Sequence, residues 1–165
     1  MADFSKARKM LAEFKGDNYI HGLGVLTQVG KATAQYGRRA ALVVDHFPGS
    51  DPYVQTIRAS LAEADVDILG EIAGAGPNAP LEDLARITAS VVELNPDVLV
   101  SFGGGSTIDA TKAAEVLRTL GGEIEDYFGT GLVTQALAKS GKTLTPHVAI
   151  QTAASSGAQL TKYSN

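Results

Sequence analysis

The feature that most constrains the fold is a regular alternation of short apolar runs with segments of helical spacing. Residues 39–45 (RAALVVD) and 97–102 (DVLVSF) are continuously apolar, which is typical of parallel strands covered on both faces. Two further strands are predicted over residues 66–72 and 147–152. Strands that alternate with helices predict an α/β fold, a Rossmann-like parallel sheet with helices on both faces.

The segments between the strands carry the helical pattern. Apolar residues recur at three- and four-residue steps over residues 81–94, which predicts an amphipathic helix. Asp51 is the predicted N-cap of a helix over residues 52–64, with Pro52 in its first position. Further helices are predicted at 25–36 and 107–120, with shorter ones at 4–14, 124–128 and 132–139. A length of 165 residues fits one domain, 1–165.

Composition narrows the classes of function. Acidic residues outnumber basic ones, the net charge is −4, and the basic residues are scattered, so we expect no nucleic-acid partner. The absence of cysteine excludes disulfides, cysteine-bound metals and a thiol nucleophile. The sequence shows neither a signal peptide nor the roughly 18 apolar residues of a membrane span. We therefore expect a cytoplasmic protein without a membrane partner.

Gly103, Gly104, Gly105 and Ser106 lie between a predicted strand and a predicted helix. Glycines let the backbone come close to a ligand, and the helix start offers free N–H groups and the positive end of the dipole. Together these suit a pyrophosphate. A plain turn explains the same residues, because Ser106 and Asp109 have the spacing of a capping box. The Rossmann fingerprint G-x-G-x-x-G is absent, and local chemistry leaves both interpretations open.

Asp45 closes a predicted strand and is followed by His46. In dinucleotide-binding folds an acid at such a place binds ribose hydroxyls and repels a 2′-phosphate. An exposed turn at the strand end explains the two residues equally well. If Asp45 does bind ribose, it favours NAD over NADP.

Three motifs together resemble the iron-containing (group III) alcohol dehydrogenases. Residues 103–112 read G-G-G-S-x-x-D-x-x-K and end at Lys112. Residues 77–80 (PNAP) are similar to the P-N-P loop of that family, and residues 149–156 are similar to its A-I-P-T-T-A-G-T segment. The motifs occur in the family's order, and the resemblance runs from about residue 19 to the end. It implies the N-terminal domain of the iron-type alcohol dehydrogenase and dehydroquinate synthase-like fold.

The resemblance implies that this domain binds NAD or NADP. The glycines and Ser106 would hold the pyrophosphate, Asn78 and Thr152 would contact the nucleotide, and Asp45 or His46 would meet the adenosine ribose. Asp109 would lie where cofactor and substrate meet, whereas Lys112 would pack or pair within its helix. The positions carried over as cofactor-binding are Asp45, His46, Asn78, Gly103, Gly104, Gly105, Ser106, Asp109, Thr152, Ser155 and Ser156.

The last motif departs from the family's pattern. Gln151 replaces the usual proline, Ala153 replaces the second threonine, and Ser155-Ser156 replaces Gly-Thr. Small and hydroxyl residues are kept in this segment.

The resemblance covers only the first half of a family member. It implies a helical second domain with a metal site of one Asp and three His for Fe²⁺ or Zn²⁺, and we expect residues 1–165 to lack that domain. The chain has only His21, His46 and His147, and none has another histidine at a ligand spacing. No metal ligand and no catalytic residue is predicted here.

A complete enzyme of this family would transfer hydride reversibly between an alcohol and an aldehyde or ketone, as a homo-oligomer. The 165 residues alone would bind cofactor without turnover. Glycerol dehydrogenase, glycerol-1-phosphate dehydrogenase and dehydroquinate synthase resemble the chain in the Gly-Gly-Gly turn and in topology. The S-x-x-D-x-x-K pattern and the Pro77-Asn78 loop favour the iron-type group. A non-catalytic nucleotide-binding or assembly module is the alternative from another class.

Overall fold

The computed structural model describes residues 4–154, 157–162 and 164 of the chain. Four parallel strands form one sheet in the order β2-β1-β3-β4. The strands are β1 (Arg39–Val44), β2 (Asp67–Ala73), β3 (Val98–Gly103) and β4 (His147–Gln151). The helices are α1 (Ser5–Lys15), α2 (Val29–Thr33), α3 (Asp51–Glu63), α4 (Leu81–Leu94), α5 (Gly105–Leu120) and α6 (Leu132–Ser140). The predicted α/β fold with a parallel sheet is confirmed.

Each face of the sheet carries its own hydrophobic core. On one face Leu42 and Val100 pack with Ile57 and Leu61 of α3. On the other face, the side chains that alternate with these pack against α4 and α5. The central strands β1 and β3 are almost completely buried, and this is why their sequences are continuously apolar. Strand β4 lies at an edge of the sheet, so its residues are only partly buried.

The predicted helix over residues 25–36 is wrong in extent. The structure has a 3-10 turn at Val25–Gln28, followed by the short helix α2. Beyond α2 the chain passes close to Asp97, so that a Cβ on Gly37 would lie 2.7 Å from the Cβ of Asp97. Residues 34–36 form a turn in which the Gly37 N–H still donates to the Thr33 carbonyl at 3.2 Å, and β1 begins at Arg39.

Two helix starts also differ from the prediction. Ser50, not Asp51, is the N-cap of α3, because the Ser50 carbonyl accepts the hydrogen bond from the Val54 N–H at 3.1 Å. Helix α5 begins at Gly105, two residues before the predicted start. Both differences are of one or two residues, which is the precision with which helix ends are assigned. None of the helices described is long and apolar enough to cross a membrane.

Candidate functional site

The loops that follow the four strands meet at the carboxyl edge of the sheet. The Asp45 N–H donates to the Phe102 carbonyl at 2.8 Å, and the Gly74 N–H donates to the Val44 carbonyl at 2.7 Å. After β4, the Thr152 N–H donates to the Gly103 carbonyl at 3.0 Å. The predicted residues of these loops are therefore neighbours, at the place where open α/β sheets bind ligands.

The glycine loop has two glycines with different tasks. A Cβ on Gly103 would lie 2.8 Å from the Cβ of Thr107 and 2.9 Å from that of Asp45, so this position is filled from both sides. Gly104 is the N-cap of α5 in an extended conformation, and a Cβ there would have no atom within 4 Å. Packing thus explains the first glycine. The second leaves open space beside the amide groups that begin α5.

Ser106 and Asp109 do not form the capping box that their spacing suggests. No side chain caps the start of α5. The Ser106 Oγ instead accepts a hydrogen bond from the Asn78 N–H at 3.1 Å. A local pattern cannot show this, because the Asn78 loop competes for the hydroxyl only in the folded chain.

A neighbouring threonine, absent from the predicted site, fastens the same loop. The Thr107 Oγ1 is fully buried and accepts a hydrogen bond from the Ala75 N–H at 3.1 Å. Asn78 and Ala79 have positive φ angles of 64° and 47°, so the loop makes a tight left-handed turn against α5. The sequence signal for this contact is a threonine two residues after the last glycine of the motif.

Asp45 and His46 point to opposite sides of the sheet. The Asp45 Cβ lies against Gly103, on the side of the glycine loop. The His46 Nε2 lies 3.1 Å from the Glu71 Oε1, on the side of α3. Successive residues of an extended chain alternate in this way, so only Asp45 adjoins the loop that the sequence assigned to the pyrophosphate.

Asp109 is enclosed one turn into α5. Its side chain is 6% exposed and its Oδ1 lies 2.9 Å from the Lys112 Nζ. The predicted pairing of Lys112 within its own helix is confirmed. A buried ion pair of this kind fixes the orientation of both side chains.

The loop after β4 is described only in part. Thr152 and Ala153 are exposed, whereas Ser155 and Ser156 lie outside the described residues. The Gln151 Nε2 donates to the Ala153 carbonyl, so the residue that replaces the family's proline forms a hydrogen bond within this loop. A side chain thus supplies a restraint on the loop where the family has a proline.

The three histidines have separate surroundings. The His21 ring stacks on Tyr19 at 5.3 Å, His46 contacts Glu71, and His147 shares a hydrogen bond of 2.7 Å with the Ser101 Oγ. Within the described residues there is no group of three or more His, Cys, Asp or Glu side chains that could hold a metal ion.

A cavity of about 880 Å³ runs along α5, beside α6 and β4. Of the predicted cofactor residues that the structure describes, only Asn78 lines it. The glycine loop, Asp45 and Thr152 lie outside it. We place the candidate nucleotide site at the loops because the free amide groups and the open space at Gly104 are there.

His147 lies at the start of β4 and lines this cavity. Removal from water lowers the pKa of its imidazole from 6.5 to about 4, and the positive charge of Lys112 acts in the same direction. The imidazole is therefore neutral at pH 7. It accordingly serves as a structural partner of Ser101.

We expect the free energy of unfolding to decrease as the pH falls from about 6.5 towards 4. In that range the unfolded chain binds a proton at His147 that the folded chain binds only below about 4. Urea unfolding at pH 7 and pH 4.5 should show roughly 2 kcal/mol more loss for the wild type than for His147→Gln. An equal loss in both proteins would contradict this role of His147.

Comparison with known proteins gives consistent findings. The family model for iron-containing alcohol dehydrogenases matches residues 16–165. The NAD-dependent methanol dehydrogenase of Bacillus methanolicus is 32% identical over 143 residues, which cover 86% of this chain and 35% of the relative. Alcohol dehydrogenase 4 of Schizosaccharomyces pombe is 28% identical over an alignment of 165 positions, and the match covers 96% of this chain and 36% of the relative.

A solved structure supports the same assignment of the fold. A 1,3-propanediol oxidoreductase matches with a TM-score of 0.69 and 25% identity, over 83% of this chain and 34% of that protein. In every case the chain spans about a third of the length of the relative that it matches.

Proposed function

Because the chain belongs to the iron-containing alcohol dehydrogenase family, we propose that it binds NAD or NADP as the nucleotide-binding domain of an alcohol dehydrogenase. The observation that carries the proposal is the open space at Gly104, directly beside the amide groups that begin α5. A helix start of this kind attracts a pyrophosphate through its N–H groups and its dipole. The loops that carry Asp45, Asn78 and Thr152 surround it.

Each part of the site has a proposed role. The backbone of Gly104, Gly105 and Ser106 holds the pyrophosphate, and Gly103 lets the loop pack between β1 and α5. Asn78, whose N–H is fixed by Ser106, borders the nucleotide. Thr152, with Ser155 and Ser156 after it, contacts the nucleotide from the loop after β4.

Three acidic or basic residues complete the proposal. Asp45 binds the adenosine ribose, because it is the acid at the end of the strand beside the glycine loop. Asp109 lies on the side where cofactor and substrate meet, and its ion pair with Lys112 fixes the direction of its carboxylate. His46 contacts Glu71 on the side of α3. It borders the adenosine end of the site without binding the ribose hydroxyls.

When bound, a nicotinamide cofactor supplies the hydride transfer between an alcohol and the corresponding carbonyl compound. The residues of this chain bind that cofactor and orient it. We assign no step to a metal, since the described residues do not offer a ligand set. We propose that the metal centre and the alcohol site of the family lie mainly in a second domain outside residues 1–165.

The proposal predicts that the chain binds NADH in calorimetric titration, and binds NADPH more weakly because Asp45 faces a 2′-phosphate with like charge. ADP-ribose, which keeps the pyrophosphate and both riboses, should bind nearly as well as NADH. Adenosine, which has no phosphate, is the control and should give no measurable heat. A folded chain that binds neither dinucleotide would overturn the proposal.

A further inference from the structure

Thr107 is packed between two backbone segments at the carboxyl edge of the sheet. Its side chain is fully buried in the first turn of α5. A Cβ on Gly103 would lie 2.8 Å from the Thr107 Cβ, and a Cβ on Gly74 would lie 2.6 Å from the Thr107 Oγ1. The glycine loop and the chain that leaves β2 therefore close around this one side chain.

The Thr107 hydroxyl joins α5 to the Asn78 loop, residues 74–80. Its Oγ1 accepts a hydrogen bond from the Ala75 N–H at 3.1 Å and donates one to the Ala75 carbonyl at 3.4 Å. A hydroxyl has both a donor and acceptor positions, so one side chain can serve both polar groups of a buried residue. Valine has the same shape without these groups, and it would remove the partner of the Ala75 N–H.

The Asn78 loop has a backbone conformation that depends on such contacts. Asn78 and Ala79 have positive φ angles of 64° and 47°, a region that a Cβ makes unfavourable. Backbone of this kind persists only where the surrounding structure fixes it. Hydrogen bonds to α5 fix the loop at Ala75 and Asn78, and the Gly76 N–H donates to the Asp83 Oδ2 of α4 at 2.8 Å. Without the contact at Ala75, the loop can relax away from α5.

The far end of the loop meets the proposed pyrophosphate site. The Asn78 N–H donates to the Ser106 Oγ at 3.1 Å, and Ser106 lies in the first turn of α5. A hydroxyl oxygen that accepts one hydrogen bond still has its own hydrogen to donate to a ligand. If Asn78 moves away, the Ser106 hydroxyl loses the contact that orients it.

We propose that Thr107 is a positioning residue of the nucleotide site, which holds the Asn78 loop against α5 so that Asn78 and the Ser106 hydroxyl are in place when the dinucleotide binds. This inference rests on the proposed function and adds a residue that does not itself touch the cofactor. Thr107 has no exposed surface, so it acts through the Asn78 loop.

The test is calorimetric titration with NADH of wild type, Thr107→Val and Thr107→Ser. We expect Thr107→Val to bind NADH about tenfold more weakly, the effect of about one hydrogen bond. Thr107→Ser keeps the hydroxyl and should bind within about twofold of wild type. Thr33→Val is the matched control, because it removes an equally buried hydroxyl whose hydrogen bond of 2.8 Å runs to the Val29 carbonyl within α2. It should lower the stability to urea and leave NADH affinity unchanged.

A double variant separates positioning from a general loss of stability. If Thr107 acts through the contact between Asn78 and Ser106, the change Thr107→Val should weaken NADH binding less than about twofold once Ser106→Ala has removed that contact. Independent effects would instead multiply. Should Thr107→Val not fold, Thr107→Ala compared with Thr107→Ser tests the same hydroxyl, with the same difference of about tenfold expected.

Four results would overturn the inference. They are wild-type affinity in folded Thr107→Val, an equal loss of affinity in Thr107→Ser, an equal loss in Thr33→Val, and effects of Thr107→Val and Ser106→Ala that multiply. Wild-type protein that does not bind NADH overturns the nucleotide site itself, so the failure of the inference and the failure of the proposed function are distinguishable.

Discussion

Gly104→Val is expected to weaken NADH binding about a hundredfold while the chain stays folded. The free chain has no atom within 4 Å of a Cβ at this position, and the φ of −75° suits any residue. A branched side chain would fill the space beside the first amide groups of α5, where the pyrophosphate is proposed to lie. Loss of two charge-assisted hydrogen bonds costs about 3 kcal/mol, which corresponds to the stated change in affinity.

The measurement is calorimetric titration with NADH, with urea unfolding of the same samples. Valine is a poorer N-cap than glycine, so the free energy of unfolding should decrease by about 1 kcal/mol. Thr130→Val, an isosteric change of a residue that lines the cavity along α5, is the control and should keep NADH affinity. Unchanged affinity in folded Gly104→Val would show that the phosphates bind elsewhere.

Gly30→Ala should cost more stability than any other small substitution considered, more than about 3 kcal/mol. A Cβ on Gly30 would lie 1.7 Å from the Ser60 carbonyl oxygen and 2.4 Å from its carbon. These are backbone atoms of α3, so a side-chain rotation cannot relieve the overlap. Helices α2 and α3 would have to separate, and the hydrogen bond of 2.9 Å from the Gly30 N–H to the Ser60 Oγ would be lost.

Helix propensity alone predicts the opposite change in the free energy of unfolding. In an isolated helix, alanine is about 1 kcal/mol more favourable than glycine. Urea unfolding decides between the two effects, with Lys31→Ala at the adjacent exposed position as the control, which should change stability by less than about 0.5 kcal/mol. A Gly30→Ala variant as stable as wild type would mean that the close approach of α2 and α3 is wrong.

Gly30 and Gly104 together show that the sequence does not reveal which glycines are required by close packing. The glycine motif is recognisable in the sequence because three glycines follow a predicted strand. Gly30 lies in a stretch of helical spacing, where nothing local distinguishes it from a position that could be alanine. Its importance depends on Ser60, which is 30 residues away in the chain and 2.9 Å away in the fold.

The site residues divide in the same way. The strand-end positions of Asp45, Asn78, the glycine loop and Thr152 follow from the sequence, because parallel strands present their carboxyl ends at one edge of a sheet. The direction in which each side chain points does not follow from the sequence. Ser106 and Asp109 have capping-box spacing, yet Ser106 accepts a hydrogen bond from the Asn78 loop and Asp109 pairs with Lys112 one turn along α5.

The sequence by itself therefore determined the element types, the parallel sheet and the family, since apolar periodicity and short motifs are local properties of the chain. Tertiary structure decided the partner of Ser106, the pairing of His46 with Glu71 and the close approach of Gly30 to Ser60. These depend on distances between residues that are far apart in sequence. A hydrogen bond or a steric overlap changes over tenths of an ångström, and no one-dimensional pattern specifies distance at that scale.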